Sequence, residues 1–200
     1  MPPSLTRWQT FYQEDPRLRD QPASLCAQRA LEVFRTQKPH TILDLGCGAG
    51  RDTRLLAGCG AMLIGLDAAH SGLQLAHQRS PHLPFLQSDS RQLPFAPNSF
   101  DAIYCYGLLH EFVGEQAASD VQQTLQEVQR ILRPGGTFIL AVLAGEPGRG
   151  LPHVQFFDEA MFNQACRGLE VLEKQRSDDL SCTGLRGYIV WYAHLVKPPH

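Results

Sequence analysis

The chain has 200 residues, of which 43% are hydrophobic and 19% charged, and its formal net charge is −2. This composition excludes a disordered chain, and a balanced charge with scattered Lys and Arg gives no reason to expect nucleic acid as a partner. No apolar run reaches the length of a membrane span, and the first residues do not resemble a signal peptide. We therefore expect a cytoplasmic protein without membrane contact, in which residues 1–200 form one domain with an N-terminal arm (1–21) and a core (22–200).

The cysteines and histidines give no sign of a metal site. No two cysteines form a C-x-x-C pair, and the eight histidines lack ligand spacing. Reduced, mostly buried thiols are expected, and a thiolate cluster would form only if the fold gathered them. The six cysteines are Cys26, Cys47, Cys59, Cys105, Cys166 and Cys182.

The N-terminal arm is rich in aromatic residues, among them Trp8, Phe11 and Tyr12. Two interpretations stay open for it: an arm packed on the outside, or a lid in which Trp8 and Tyr12 close over a ligand. From Ala23 to Phe34, apolar residues recur at helical spacing, with Ser24 as a plausible N-cap.

The next stretch predicts a buried strand, a glycine-rich turn and a helix. The apolar run 42–45 is of the type found in parallel strands, and residues 51–57 are predicted to form a helix. Between them lie Gly46, Gly48 and Gly50. Such a turn lets a ligand approach the backbone closely, beside the free N–H groups of the helix N-terminus.

The spacing of this turn separates it from a dinucleotide-binding loop. The dinucleotide form is G-x-G-x-x-G, whereas the third glycine here, Gly50, comes one residue early. Asp44 lies two residues before the first glycine. A carboxylate there suits a ligand that carries a cation better than one that carries phosphates.

A second strand, Met62 to Leu66, is followed directly by Asp67, about 20 residues after the glycine turn. A Rossmann-type unit places an acid at that separation to accept hydrogen bonds from a ribose. The alternative is an N-cap, since Asp67 precedes the next helix, and both roles are compatible.

The remaining elements continue the alternation of strand and helix through residue 143, which implies a parallel sheet covered on both faces. One amphipathic helix is predicted over 115–132, with Ala118, Val121, Leu125, Val128 and Leu132 on one side. After residue 143 we expect a helix over Phe156 to Cys166 and an antiparallel pair of strands, Leu169 to Glu173 and Gly187 to Val196. The other predicted elements are a helix ending at Ser80-Pro81, strands 83–86, 100–106 and 137–143, and a turn at 133–136.

The combined pattern resembles the class I S-adenosylmethionine-dependent methyltransferase family, in particular its small single-domain members of types 11 and 25. The matching segments occur in the family's order and span roughly residues 40 to 145. They are ILDLGCGAG (42–50), GLD (65–67), SD (88–89), PNSFD (97–101) and RPGG (133–136). The resemblance implies an α/β, Rossmann-like seven-stranded sheet, mostly parallel with a C-terminal antiparallel hairpin and helices on both faces.

The resemblance also implies S-adenosylmethionine as cofactor and S-adenosylhomocysteine as product. The glycine turn would lie under the methionine part with Asp44 near its amino group, and Asp67 would hold the ribose hydroxyls. Asp89, with a backbone N–H of Ser88 or Ser90, would recognise the adenine edge, or else cap a turn. The full set of expected cofactor contacts is Tyr12, Asp44, Gly46, Cys47, Gly48, Gly50, Asp67, Ala68, Ser88, Asp89, Ser90 and Tyr106.

Beyond the fourth strand, Tyr106 to Leu108 would line the pocket below the sulfonium. His110 and Glu111 follow, and they are the candidates for a general base, although a histidine here is also common as a structural or pocket-lining residue. A base is needed only if the acceptor carries a proton of high pKa. A soft nucleophile such as a thiol would need none, whereas a phenol or amine would use His110.

The sequence leaves little room for a separate substrate domain, which favours a small-molecule acceptor reached past the N-terminal arm and the loop 143–157. A monomer or homodimer is expected. The first hypothesis is a small-molecule methyltransferase that acts mainly by positioning and desolvation. The alternative is a non-catalytic cofactor-binding subunit that activates a partner, and the early third glycine disfavours a nicotinamide reductase.

Overall fold

The computed structural model describes residues 3–14, 21–148, 152–177 and 188–199. No helix within these ranges is long and apolar enough to cross a membrane. The helices are α1 (Pro3–Glu14), α2 (Leu25–Gln37), α3 (Arg51–Leu56), α4 (His70–Arg79), α5 (Ala117–Ile131) and α6 (Glu159–Ala165). The strands are β1 (Thr41–Leu45), β2 (Met62–Asp67), β3 (Phe85–Gln87), β4 (Phe100–Tyr106), β5 (Leu132–Ala144), β6 (Glu170–Ser177) and β7 (Ile189–Val196).

The seven strands form one sheet in the order β3-β2-β1-β4-β5-β7-β6. Strands β1 to β5 pair in parallel, and β7 is antiparallel to both β5 and β6. The predicted Rossmann-like fold class is therefore confirmed. Because the chain runs outward in one direction from β1 and in the other from β4, a crevice opens where the carboxyl ends of these two strands meet.

The core has two layers, one on each face of the sheet. On one face, α2 buries Ala30 and Phe34 against Tyr104 of β4. On the other face, α5 buries Val128 against Ile103, the neighbour of Tyr104 in β4. Alternate residues of a strand point to opposite faces, so a central strand buried on both faces is apolar along its whole length.

The start of α2 is as predicted, because the Ser24 side chain accepts a hydrogen bond from the Ala27 N–H. The prediction for α5 was wrong in two details. Ala118 is exposed, because the buried face includes Ala117 instead. Leu132 belongs to β5 rather than to the helix, since the turn at 133–136 is a bulge within that strand.

Further along, the prediction of one helix from Phe156 to Cys166 was wrong. Phe157 pairs with Ala144 beside β5, and the helix begins only after Asp158, whose side chain accepts from the Met161 N–H. The antiparallel hairpin is confirmed, with β6 extending to Ser177. Gly187, the predicted start of the last strand, lies outside the described residues.

The N-terminal arm contains the helix α1, which packs against α4. The Ser71 N–H donates to Oε1 of Gln9 (3.0 Å), and the Ser71 hydroxyl donates to the Gln9 carbonyl (2.8 Å). These bonds fix α1 beside the carboxyl edge of the sheet.

Four of the cysteines are buried thiols and Cys59 is partly buried, while Cys182 lies outside the described residues. Among the residues that the structure describes, no group of three or more His, Cys, Asp or Glu side chains could hold a metal ion. The buried thiols therefore act as small apolar core residues.

Candidate active site

A cavity of about 430 Å³ lies at the carboxyl edge of the sheet, beyond the ends of β1 and β4. Residues that follow β1, β2, β3 and β4 line it from below, and α1 lines it from above. Its volume falls in the range of small-molecule sites, about 300–1,000 Å³.

The glycine turn after β1 is held in a conformation that side chains rarely adopt. Gly46, Gly48 and Gly50 have φ values of +83°, +52° and +71°. Gly46 and Cys47 line the cavity, but Gly48 and Gly50 are not among its lining residues in the described part of the chain. A Cβ at Gly48 would overlap the Tyr12 hydroxyl, so this glycine is needed for the close approach of α1.

Gly50 serves the packing of the fold. A Cβ at this position would lie 3.0 Å from the Ala76 Cβ and 3.1 Å from the Phe85 ring. The absence of a side chain at Gly50 therefore leaves room for Ala76 of α4 and Phe85 of β3.

Asp67, at the end of β2, holds the glycine turn through both of its carboxylate oxygens. The Gly48 N–H donates to Oδ2 (2.8 Å) and the Ala69 N–H donates to Oδ1 (2.7 Å). Burial raises the pKa of Asp67, and these backbone bonds lower it. The N-cap of α4 is Ala69 rather than Asp67, so the cap alternative was wrong. Each oxygen keeps a lone pair that a ligand hydroxyl can use.

Asp44 is a second carboxylate, only 2% exposed, whose Oδ2 accepts a 2.6 Å hydrogen bond from the Thr53 hydroxyl. Burial, helped by the nearby charges of Asp52 and Asp67, raises the pKa of Asp44 to about 7, although the Thr53 hydrogen bond and Arg51 lower it. Asp44 and Asp67 thus lie close together in a desolvated environment, which favours a ligand that carries positive charge.

Asp89 and its neighbours lie at the far end of the cavity after β3. Ala68, Ser88, Asp89 and Ser90 all line it. The Asp89 carboxylate is bound by the Arg91 side chain, which lowers the pKa of Asp89. The Ser90 hydroxyl is turned to Thr124 in the core, at 3.1 Å, so only the backbone of Ser90 is available to a ligand.

Helix α1 covers the other side of the cavity through side chains that include Arg7, Trp8 and Tyr12. The Arg7 guanidinium and the Trp8 indole N–H (3.0 Å) both donate to Oε2 of Glu111. Arg7 was not predicted from the sequence. The helical spacing of Leu5, Trp8 and Tyr12 was the available signal, because Arg7 lies beside that face.

His110 and Glu111 lie together in a short 3₁₀ turn after β4, and both line the cavity. The backbone N–H of Leu143 donates to Nδ1 of His110 (3.2 Å). Burial lowers the pKa of His110 to about 3. The ring is therefore neutral, and because Nδ1 is an acceptor, its proton is assigned to Nε2.

The pKa of Glu111 is raised, whereas that of His110 is lowered. Burial raises the pKa of Glu111 to about 7, although Arg7 and Trp8 lower it. Its second oxygen, Oε1, lies 3.7 Å from Nε2 of His110. Beyond this pair the cavity wall includes His153, Val154 and Tyr188, which are distant in sequence and carried no motif.

The chain is similar to known methyltransferases. A family model described as a methyltransferase domain matches residues 43–140. The 2-phytyl-1,4-naphtoquinone methyltransferase of Thermosynechococcus vestitus is 40% identical over 116 residues, covering 54% of this chain and 48% of that protein. The chain spans about half the length of the first curated relatives it matches.

Two solved structures share the fold over nearly the whole chain. One is the 1,6-didemethyltoxoflavin-N1-methyltransferase of Burkholderia thailandensis with bound S-adenosylhomocysteine, at TM-score 0.73 and 19% identity, covering 97% of this chain and 87% of that one. The other is the [4+2]-cyclase SpnF, at TM-score 0.76 and 16% identity, covering 100% and 98%. The seven-stranded sheet, the glycine turn and the match of residues 43–140 to a methyltransferase domain together support membership of the class I S-adenosylmethionine-dependent methyltransferase family.

Proposed function

We propose that this protein transfers a methyl group from S-adenosylmethionine to a small-molecule acceptor. The observation that carries the proposal is the pair of carboxylates, buried Asp44 and partly buried Asp67, which lie near the carboxyl ends of adjacent strands and line one cavity. The fold alone would not suffice, because related folds carry different chemistries.

The donors and acceptors around Asp44 and Asp67 fit the cofactor. Asp67 would accept hydrogen bonds from the two ribose hydroxyls with the lone pairs that Gly48 and Ala69 leave. Asp44 would pair with the α-ammonium of the methionine part. The backbone at Cys47 and Ala68 and the cluster of Ser88, Asp89 and Ser90 would contact the rest of the ligand, the latter at the adenine.

The bound cofactor supplies an electrophilic methyl group on a sulfonium whose positive charge disperses as the methyl leaves. The protein's part is to align the reactants and to exclude water, which can contribute about 7–11 kcal/mol for well-oriented partners. We propose that α1 acts as the lid, since Trp8 and Tyr12 line the cavity and Arg7 anchors the helix to Glu111.

The acceptor would occupy the end near Tyr106, Leu108 and Leu143, which is mostly apolar. That relatives are named as naphthoquinone and demethylmenaquinone methyltransferases supports an aromatic ring compound of similar chemistry.

Incubation with S-adenosylmethionine carrying a labelled methyl group and a metabolite extract tests the proposal. A labelled small molecule, identified by mass, is the expected product. Binding of the cofactor without any labelled product, together with co-purification of another chain, would favour the alternative of a non-catalytic subunit. Failure of the cofactor or its product to bind at millimolar concentration would end both.

A further inference from the structure

We infer that His110 and Glu111 form a binding site for an aromatic hydroxyl of the acceptor, in which Nε2–H of His110 donates to the hydroxyl oxygen and Oε1 of Glu111 takes its proton. This inference rests on the proposed function and specifies the acceptor. It also assigns the two residues different roles, with Glu111 rather than His110 as the base.

The role of His110 follows from its backbone partner. Nδ1 is occupied by the Leu143 N–H, so the neutral ring has only an N–H to offer to the cavity at Nε2. A nitrogen that already carries a proton cannot accept one without forming an imidazolium, and the burial of this side chain opposes that charge. His110 is therefore a hydrogen-bond donor to the acceptor.

The role of Glu111 follows from the division of its two oxygens. Arg7 and Trp8 both donate to Oε2, and among the described residues no hydrogen bond to Oε1 is found. Oε1 lies 3.7 Å from Nε2 of His110, too far for a direct hydrogen bond. A single oxygen atom can lie within about 2.7–3.2 Å of both atoms at once.

Donor and acceptor side by side match a hydroxyl group, which accepts one hydrogen bond and donates another. In the step, the O–H bond breaks, Oε1 takes the proton, and the electron pair stays on the acceptor oxygen, which becomes the nucleophile toward the methyl group.

The acidity of the two partners points to a phenol rather than an alkyl alcohol. The pKa of Glu111, about 7, is some three units below the value of about 10 for a phenolic hydroxyl and much farther below that of water, about 15.7. A carboxylate with a pKa near neutrality is also well matched to proton transfer at physiological pH. The surrounding wall, Leu108, Leu143 and Val154, suits the apolar body of an aromatic ring.

The test measures the binding of 1-naphthol, naphthalene and 1-naphthylamine to the full chain saturated with S-adenosylhomocysteine. Naphthol should bind about tenfold or more tightly than naphthalene, since hydrogen bonds that involve a charged group are the stronger ones. Equal affinities would overturn the inference, as would a preference for the amine. Absence of S-adenosylhomocysteine binding would instead contradict the proposed function.

Matched variants distinguish the role of His110 from that of Glu111. Both His110→Gln and His110→Phe lose the acceptor for Leu143, but only glutamine keeps an N–H donor near the position of Nε2. We expect His110→Gln to keep most of the preference for naphthol and His110→Phe to lose part of it, since Glu111 can still accept from the hydroxyl; equal loss in both would contradict a donor role.

In Glu111→Gln, the amide oxygen is expected to stay with Arg7 and Trp8, which turns the NH₂ group toward the hydroxyl position. This variant should weaken the preference for naphthol, because only the donor bond of His110 to the hydroxyl oxygen remains of the original pair, while α1 stays protected from hydrogen exchange. An undiminished preference would overturn the role of Glu111. If His110→Phe fails to fold, the wild type and Glu111→Gln still decide the question.

Discussion

The two ends of the crevice are built by different means. At the end under β1 and β2, backbone N–H groups of the glycine turn meet the Asp67 carboxylate, and the groups lie within 19 residues of one another in the chain. At the other end, Glu111 meets Arg7 across 104 residues and His110 meets Leu143 across 33. The first end, where we propose that the cofactor binds, is a local structure, whereas the second, where we propose that the acceptor binds, is assembled by tertiary packing.

The largest effect on cofactor affinity is expected from a substitution at the end under β1 and β2. Asp67→Ala should lower the affinity for S-adenosylhomocysteine about 100-fold, because the carboxylate fixes the turn through Gly48 and Ala69 and is proposed to accept hydrogen bonds from the ribose hydroxyls. Isothermal titration calorimetry measures this change. Asp67→Asn keeps one acceptor oxygen and should lose less; an unchanged affinity in both variants would remove Asp67 from the cofactor site.

Asp44→Asn should separate stability from function at the same end. The folded protein holds the Asp44 proton more tightly than the unfolded chain does, with a pKa of about 7 against 3.8. The stability that this group contributes is therefore complete below pH 4 and is lost as the pH rises through about 7. At pH 8 the free energy of unfolding of the variant should be about 2–4 kcal/mol higher than that of the wild type. Its affinity for S-adenosylhomocysteine should nevertheless be about tenfold lower.

Urea denaturation at pH 5 and pH 8 checks the stability change. Asp52→Asn is the matched control, because the Asp52 carboxylate accepts from the Ser24 N–H and hydroxyl and from the Tyr104 hydroxyl. It should destabilise the fold by about 1–3 kcal/mol, because three hydrogen bonds to the carboxylate are weakened. A stability gain that is the same at both pH values in Asp44→Asn would contradict the account of its titration.

Helix α1 couples the two ends, and weakening its anchor should have an intermediate effect. Trp8→Ala removes the indole N–H donor to Glu111 and the ring over the cavity, so residues 3–14 should exchange amide hydrogens faster and the affinity for S-adenosylhomocysteine should fall about fivefold. Hydrogen exchange followed by mass spectrometry measures the first change. Thr10→Ala, on the exposed face of α1, should alter neither.

The smallest effect is expected for Tyr12→Phe. Burial raises the pKa of Tyr12, so its hydroxyl is neutral, and loss of one neutral hydrogen-bonding group should cost about threefold in cofactor affinity. An effect as large as that of Asp67→Ala would mean that Tyr12, rather than the carboxylate, holds the ligand.

The contrast between the ends also explains what the sequence could predict. Asp44, Gly46 and Asp67 could be identified because short, fixed spacings in a strand–turn–helix unit bring them to one edge. Arg7 and the Leu143 partner of His110 could not, because no local pattern encodes a contact between segments that are distant in sequence. The tautomer of His110 depends on its contact with Leu143, and so does our proposal that Glu111 rather than His110 is the base.

Errors at element boundaries have a similar origin. The sequence predicted that the proline and glycines at 133–136 would separate a helix from a strand, but β4 and β7 hold this segment as a bulge inside β5. Phe157 was predicted to be helical, but pairing with Ala144 draws it to the sheet. In both cases tertiary pairing prevails over local propensity.

The decisive experiment is a crystal structure of the protein with bound S-adenosylhomocysteine. We expect the ribose hydroxyls to lie within hydrogen-bond distance of the Asp67 carboxylate, the ammonium to face Asp44, and the sulfur to point toward His110 and Glu111. An adenosyl group bound elsewhere, or a sulfur directed away from that pair, would contradict it.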